Sequence, residues 1–304
     1  MWGRSGVLTS GPQEEPLRQV KIIFSRKGFD SASGGIPSPI LPSGRLCSLP
    51  IPDRSEDSGS IPFSSISCEG SDLGAIVESL SRGRISADSL AHLDPDLDSN
   101  SLEREAGWRP LFGQSGSAQS HLEKMGVGEG DLFLFYGWFR RTDLRSGELS
   151  YVPGSPDVHV LFGWLQVERV VSAADVDALP AWARYHPHAK REAHPSKDVI
   201  YVSADQATVH GRAIGVCGAG VFGDFRPSLQ LTEPGQTRSV WKLPKWFSPR
   251  GRDSALSYHG SPTRWEVLRG HVRLRTVGRG QEFVLNSNDY PESLDWIGSL
   301  LGQH

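Results

Sequence analysis

Residues 131–171 read DLFLFYGWFRRTDLRSGELSYVPGSPDVHVLFGWLQVERVV, and this stretch decides the fold class. Asp131–Arg140 is a dense aromatic run, which predicts a buried strand. Residues 141–157 are polar and carry Gly147, Pro153, Gly154 and Pro156, as a hairpin loop does. His159–Val171 then returns as the antiparallel partner. Outward from this hairpin, the β-branched run Val20–Ser25 predicts a first strand, and Asp198–Ser203 and Glu282–Leu285 predict further short ones. Apolar residues at helical spacing (Leu73, Ile76, Val77, Leu80) predict a helix over Asp72–Leu80, capped by Ser71 or Asp72. A second helix is expected over Ser117–Met125, with Ser117 or Ser120 as N-cap and Gly126 and Gly128 beyond its end. Pro291–Leu301 closes the chain as an amphipathic helix. Strands and helices do not alternate regularly. The expected fold is therefore α+β, with a mixed or antiparallel sheet, segregated helices and long Gly/Pro-rich functional loops, rather than a doubly wound sheet.

The chain has 304 residues, 37% of them hydrophobic, which is enough for a sizeable core and excludes wholesale disorder. The 34 Gly and 21 Pro exceed average usage and assign much of the chain to loops. Residues 1–19 have no periodicity and read as a disordered leader, and 20–304 read as a single domain. No apolar run reaches the ~18–20 residues of a membrane span, and no secretory signal follows Met1. Cys47, Cys68 and Cys217 are sparse and odd in number, which argues against a disulfide framework and suits a reducing cytoplasm. Charge is unevenly spread. Residues 53–105 hold twelve Asp/Glu and four Lys/Arg, and residues 238–279 hold ten Lys/Arg and two Asp/Glu. The basic stretch also carries Trp241, Trp246, Phe247, Tyr258 and Trp265, the residue types that meet phosphates and stack on bases; a solvated basic face over core tryptophans is the other reading.

Five constellations can carry chemistry. Ser25–Gly35 (SRKGFDSASGG) follows the first strand. Arg26 and Lys27 offer cationic hydrogen bonds, and Ser31, Ser33 and the amides of Gly34 and Gly35 can form an anion nest. Asp30 among these donors suits a sugar hydroxyl, a metal or a general base; a tight structural turn has the same residues. His92-Leu93-Asp94-Pro95-Asp96 places carboxylates two apart beside a histidine, which suits Mg²⁺ at His92, Asp94 and Asp96, or an Asp-rich turn. Gln114, Gln119, Ser120 and His121 lie at a helix start, where they can read a base edge or cap the helix. His186, His188 and His194 invite a metal, but Pro187 and Pro195 deny them one helical face, so a substrate-facing loop or plain surface is expected. Finally, Tyr258, His259, Arg264 and Trp265, followed by residues 279–282, offer a proton carrier, a phosphate contact and a stacking face. There is no GxSxG, no HExxH and no paired-cysteine knuckle, so a serine hydrolase and a zinc protease are unsupported.

The string KIIFSRKGFDSASGGIPSPI (21–40), with RLCSLPIP after it, resembles the opening of the nucleotide modification associated domain 3 family. GVGEGDLFLFYGWFR, HVLFGWLQV, HPSKDVIYVS, LSYHGSPTRW and RGQEFVL are similar to that family in the same order, over about residues 20–300. The resemblance implies a role in systems that modify nucleotides or bases, including phage-related ones. It marks Arg26, Lys27, Asp30, Ser33, Gly34, Gly35, His92, Asp94, Asp96, His121, His259, Arg264 and Trp265. A shorter resemblance, over residues 126–171, is to the barrel core of PUA-like modules, which bind nucleic acid and hold flipped bases. Two functions follow as expectations. One is a nucleotide- or nucleobase-modifying enzyme, a transferase with a nucleotide-type donor, with Asp30, His121 and His259 as catalytic groups. The acidic and basic stretches would then meet at one cleft. The other is a reader of modified DNA or RNA that stacks bases on Trp138, Trp164 or Trp265. A structural partner protein is a third reading, but such a protein does not need polar residues in Gly-rich loops.

Overall fold

The computed structural model describes residues 19–53, 59–191, 193–195, 197–250, 254–278 and 282–303; nearly all of the expected leader lies outside them. A nine-stranded mixed sheet forms its centre: β1 (Lys21–Arg26), β2 (Ser38–Ile40), β3 (Leu111–Gln114), β4 (Leu132–Arg145), β5 (Glu148–Tyr151), β6 (Val158–Ser172), β7 (Val199–Ser203), β8 (Ala219–Val221) and β9 (Glu282–Asn286). The main path runs β9-β1-β4-β6-β7-β3, with β5 and β2 added to β4 and β8 to β6. β1 and β2 run parallel to β4, and the remaining pairs are antiparallel.

The aromatic hairpin is the spine of this sheet, but residues 141–157 are not the open loop their polarity predicts. β4 continues to Arg145, and β5 folds back on it with Tyr151 opposite Thr142. Ser146 and Gly147 make the turn at φ of 53° and 84°, the double positive φ that a two-residue hairpin needs. β6 carries irregularities at Leu161/Gly163 and Val167/Arg169, and such bulges bend a strand. The sheet curls until its two end strands meet through side chains. Phe112 of β3 lies 5.0 and 5.1 Å from Phe133 and Phe135 of β4, and Gln114 of β3 bonds Glu282 of β9. Strand alternation turns Ser25, Phe133, Phe135 and Glu282 to this inner face, with Lys27 just past β1. It turns Phe24, Tyr136 and Phe283 to the opposite face, where they pack on Trp241. Each fully buried Phe on these faces contributes roughly 1.5–3 kcal/mol.

Three helices flank the sheet among the described residues, so the fold is α+β. α1 (Leu73–Ser81) starts where expected, because Asp72 Oδ1 accepts from Gly74 N at 2.7 Å. Its apolar face closes a second core cluster with Phe29, Leu49 and Phe63. α2 (Gly116–Lys124) lies where a helix is expected, but its N-cap is Ser115 and not Ser117 or Ser120, which fall inside the helix; α3 (Glu292–Leu301) agrees with the amphipathic spacing. The basic stretch supplies a small antiparallel sheet, Val240–Leu243, Val272–Arg275 and Trp265–Val267, with Trp241 fully buried. Among the described residues its cations form no ion pair with the acidic stretch. Arg273 pairs with Glu233 and Glu266, and Arg250 with Glu292. Among the described residues no helix is long and apolar enough to cross a membrane.

Candidate functional site

Glu282 opens β9 directly opposite Ser25 of β1, and the alternation that buries Val284 buries its carboxylate as well. Its Oε1 accepts from Gln114 Nε2 at 2.6 Å and from Ser25 Oγ at 3.2 Å. Lys27 Nζ lies 3.7 Å from the same oxygen and 4.4 Å above the Phe112 ring. Burial pushes the Glu282 carboxyl up, and this outweighs the pull of Lys27, Ser25 and Arg26 in the other direction. A buried carboxyl raised in this way is the kind of group that general acid–base chemistry uses.

On the neighbouring edge strand, residues 92–96 dock against β3. Asp96 exchanges two backbone hydrogen bonds with Leu111, and Asp94 Oδ1 accepts from Gly113 N at 2.6 Å. The turn holding His186, Pro187 and His188 covers the outer side of the same strand. A Cβ at Gly113 would lie 2.3 Å from the His188 ring, so only glycine lets the imidazole rest there. His188 Nδ1 bonds Asp198 Oδ1 at 2.5 Å, which fixes its proton on Nδ1 and leaves Nε2 toward Asp94 Oδ2, 3.8 Å away. Arg191 Nη2 also approaches Nε2 at 3.4 Å, while its Nη1 holds Asp198 at 3.0 Å. His194 adds a third contact to Asp198 at 3.2 Å. His186 Nδ1 accepts from His188 N, which places its proton on Nε2, 3.3 Å from Asp94 Oδ1. His92 completes the group, with its ring 5.5 Å from that of His188 and its Nδ1 3.7 Å from Asp53. One ligand atom from each of His92, Asp94 and His188 lies within 4.8 Å of the others, so among the described residues these three are placed to hold a metal ion.

Burial pushes the Asp94 carboxyl up, but His186, His188 and Lys27 together outweigh it and hold it well below the usual carboxylate range. Burial pushes His92 down to about 4 and lowers His188 as well, so both imidazoles are neutral at pH 7. The Lys27 charge thus acts on Glu282 directly and, more weakly, on Asp94. A cavity of about 90 Å³ lies alongside, lined by Gly28, Cys47, Cys68, Asp94 and Asp96. Its two cysteines are free and in contact, far apart as they are in sequence. A larger groove, about 610 Å³, adjoins this cavity through Leu97, Asp98 and Val221 and extends to Trp108, Arg109 and Val216. Its Arg109 is already paired with Glu168 and Asp205, whereas the imidazoles converge on Asp94, which also forms part of the wall of the smaller cavity.

The sequence candidates part company here. His92 and Asp94 sit in the cluster, and Lys27 and Gln114 beside Glu282. Asp96 does not join them. Its carboxylate is fully buried, held by Arg104 at 2.6 and 2.7 Å and by the Tyr185 hydroxyl. Asp30 Oδ1 accepts from the amides of Ala32 and Ser33 at 2.8 and 2.7 Å, and Gly34 turns at φ 81° against the Phe29 ring. That loop is therefore closed on itself, with Ser31 and Gly35 exposed on its outside. His121 Nε2 lies 3.1 Å from Ser257 Oγ, and its ring is 4.3 Å from Tyr258. Gln119 accepts from the Tyr201 hydroxyl, and Ser120 bonds back to Gly116. The expectation for His186 and His188, a loop facing substrate or solvent, is corrected: both are buried, at 0% and 4% exposure. The fold, not the local spacing, brings His188 to Asp94, and the sequence signal that remains is the HPHxxR run followed by Asp198. Residues 279–281 lie outside the described residues.

His259 is buried with both ring nitrogens engaged, Nδ1 with Ser257 O at 2.8 Å and Nε2 as acceptor from Val277 N at 3.2 Å. Trp265 donates its indole proton to His259 O, and Arg264 bonds Arg275 O, so all three lock the fold locally. Burial lowers His259 to about 4. Between pH 6.5 and 4 the unfolded chain binds a proton there that the folded chain refuses, so stability is lost as pH falls through that window. The expected slope from this residue is up to about 1.4 kcal/mol per pH unit. Urea midpoints at pH 7 and pH 4.5 check it: the loss should be smaller in His259→Gln than in the wild type.

No curated protein and no solved structure matches the chain. A family model described as nucleotide modification associated domain 3 matches residues 21–286. Those bounds run from the first residue of β1 to the last residue of β9, and so enclose the whole sheet and both halves of the site. On that match the chain belongs to the nucleotide modification associated domain 3 family.

Proposed function

We propose that this chain is an enzyme of nucleotide or nucleobase modification, with Glu282 as its proton-handling group and Lys27 and Gln114 holding that group in place. The observation that carries the reading is the buried Glu282 carboxylate, tied to Lys27, Ser25 and Gln114 and electrostatically joined through Lys27 to Asp94. A carboxyl kept from water beside cationic and amide donors suits proton transfer to or from a base or sugar. A nucleotide-type donor has phosphate to place, and Arg26 suits that role. Arg26 has no hydrogen-bond acceptor among the described residues. Burial and the Arg26 charge lower the nearby Arg238, which lies over Trp138, whose buried indole N–H is unpartnered. Unsatisfied donors of this kind favour an anion. The reader alternative draws less support: Trp164 is fully buried and bonds Cys217 O, and Trp265 is committed to His259.

The test is a comparison of nucleosides, by mass spectrometry, from DNA, RNA and free nucleotide pools of cells with and without the expressed protein. A nucleoside of altered mass that depends on the protein is the expected result. Unchanged profiles, together with oligonucleotide binding that falls steeply with salt, would replace the enzyme with the reader.

A further inference from the structure

We propose that His92, Asp94 and His188 bind one divalent transition-metal ion of the Zn²⁺, Fe²⁺, Co²⁺ or Mn²⁺ class, with Asp198 and His186 positioning its ligands. The inference deepens the function proposed for this site, though metal uptake is read without any nucleotide. Three features of the molecule carry it. The ligand set is two imidazoles and one carboxylate, with the His188 and Asp94 side chains 5% and 6% exposed and that of His92 10%. Nitrogen donors disfavour Mg²⁺, which takes near-complete octahedra of oxygen, and suit borderline transition ions instead. Three protein ligands also leave positions open for water or substrate.

The second feature is the support behind the ligands. His188 gives its Nδ1 proton to Asp198 at 2.5 Å, and Asp198 is itself held by Arg191 and His194. A carboxylate behind a ligating histidine fixes the ring and makes it a better donor. His186 Nε2 is buried without a partner in hydrogen-bond geometry, yet stands 3.3 Å from Asp94 Oδ1, where it steers that carboxylate. Gly113 is needed for the His188 ring to lie where it does. The third feature is charge. Asp53, Asp94 and Asp198 surround the site against Lys27 and Arg191, so a cation is favoured. Spacing is compatible: an ion at the centre of a triangle of 4.8 Å sides is about 2.8 Å from each corner. The side chains therefore close by about 0.7 Å to reach bonds of about 2.1 Å. Arg191 stays on Asp198, and its Nη2 contact with His188 Nε2 gives way to the ion. Asp96, two residues from Asp94, is excluded by its pairing with Arg104.

The experiment uses the full chain, stripped with a chelator and titrated with Co²⁺, followed by visible absorption and by melting temperature. The expected result is one Co²⁺ per chain, a ligand-field band and a raised melting temperature, with Mg²⁺ at the same concentration giving no shift. Asp198→Asn should weaken Co²⁺ about 10–100-fold, since it removes the support and keeps the ligands. His188→Ala and His92→Ala should each abolish the band; circular dichroism of the stripped proteins shows whether they fold, and two variants guard against one failing. Absence of the band in the wild type, equal Co²⁺ affinity in folded His188→Ala, or stabilisation by Mg²⁺ alone would overturn the proposal. Co²⁺ bound as expected with unchanged nucleoside profiles would overturn the proposed function and leave the metal site standing.

Discussion

Arg104→Leu is expected to lower folding stability by about 3–5 kcal/mol, because it strands a buried carboxylate. Asp96 is 0% exposed, and Arg104 grips both its oxygens. The same guanidinium donates to Asp98 O, Ser101 Oγ and the Tyr185 hydroxyl, and lies 3.9 Å over the Trp108 ring. Desolvation alone would make the pair weak evidence for stability, and replacing both partners together could cost little. Removing one partner is different. Among the described residues the Tyr185 hydroxyl then remains as the one side-chain donor to a carboxylate with no exposed surface. Urea denaturation of Arg104→Leu and of the double variant Arg104→Leu/Asp96→Leu tests this. The double variant should recover part of the loss. A loss below about 1 kcal/mol in the single variant would mean that Asp96 is hydrated and free for another role.

Glu282→Gln is expected to cut the nucleoside modification by about 100- to 10,000-fold while leaving the protein as stable as the wild type or more so. The amide keeps an oxygen to accept from Gln114 and Ser25, and it removes a charge that burial opposes. The sign follows from the raised carboxyl. Above the ordinary glutamate range the folded state carries the cost of a buried charge, and below it both states are neutral. The stability advantage of Glu282→Gln should therefore appear at pH 7 and vanish as pH falls to about 4. A variant that loses both activity and fold at pH 7 would make Glu282 a tie between the two end strands and no proton carrier. Activity that survives intact would move the chemistry to the His92–Asp94–His188 group alone.

The three aspartates of HLDPDLD show why the site was only half legible in the sequence. Their spacing is identical and their fates differ. Asp94 reaches Gly113 and the histidines, Asp96 is taken by Arg104, and Asp98 accepts from Asn100 N at 2.9 Å. Asp98 is taken by its own turn, but Asp94 and Asp96 part only through distant partners, from β3, residue 104 and residues 186–188. Asp30 and His259 carried the vocabulary of catalysis, and backbone groups hold Asp30 Oδ1 and both His259 ring nitrogens.

What the sequence determined by itself was the alternation and helical spacing behind the aromatic hairpin, the first strand and α1, α2 and α3. These are local periodicities, and burial of one face enforces them wherever they occur. The nucleotide-modification family was legible as well, through the 21–40 string. Only the tertiary structure decided that β3, a four-residue strand with no strong signal of its own, would close the curl of the sheet. That closure places Gln114 on Glu282 and His188 on Gly113, across separations of 168 and 75 residues. A curled sheet buries its inner aromatics only when its end strands meet, and that meeting sets Lys27 beside the Glu282 carboxylate.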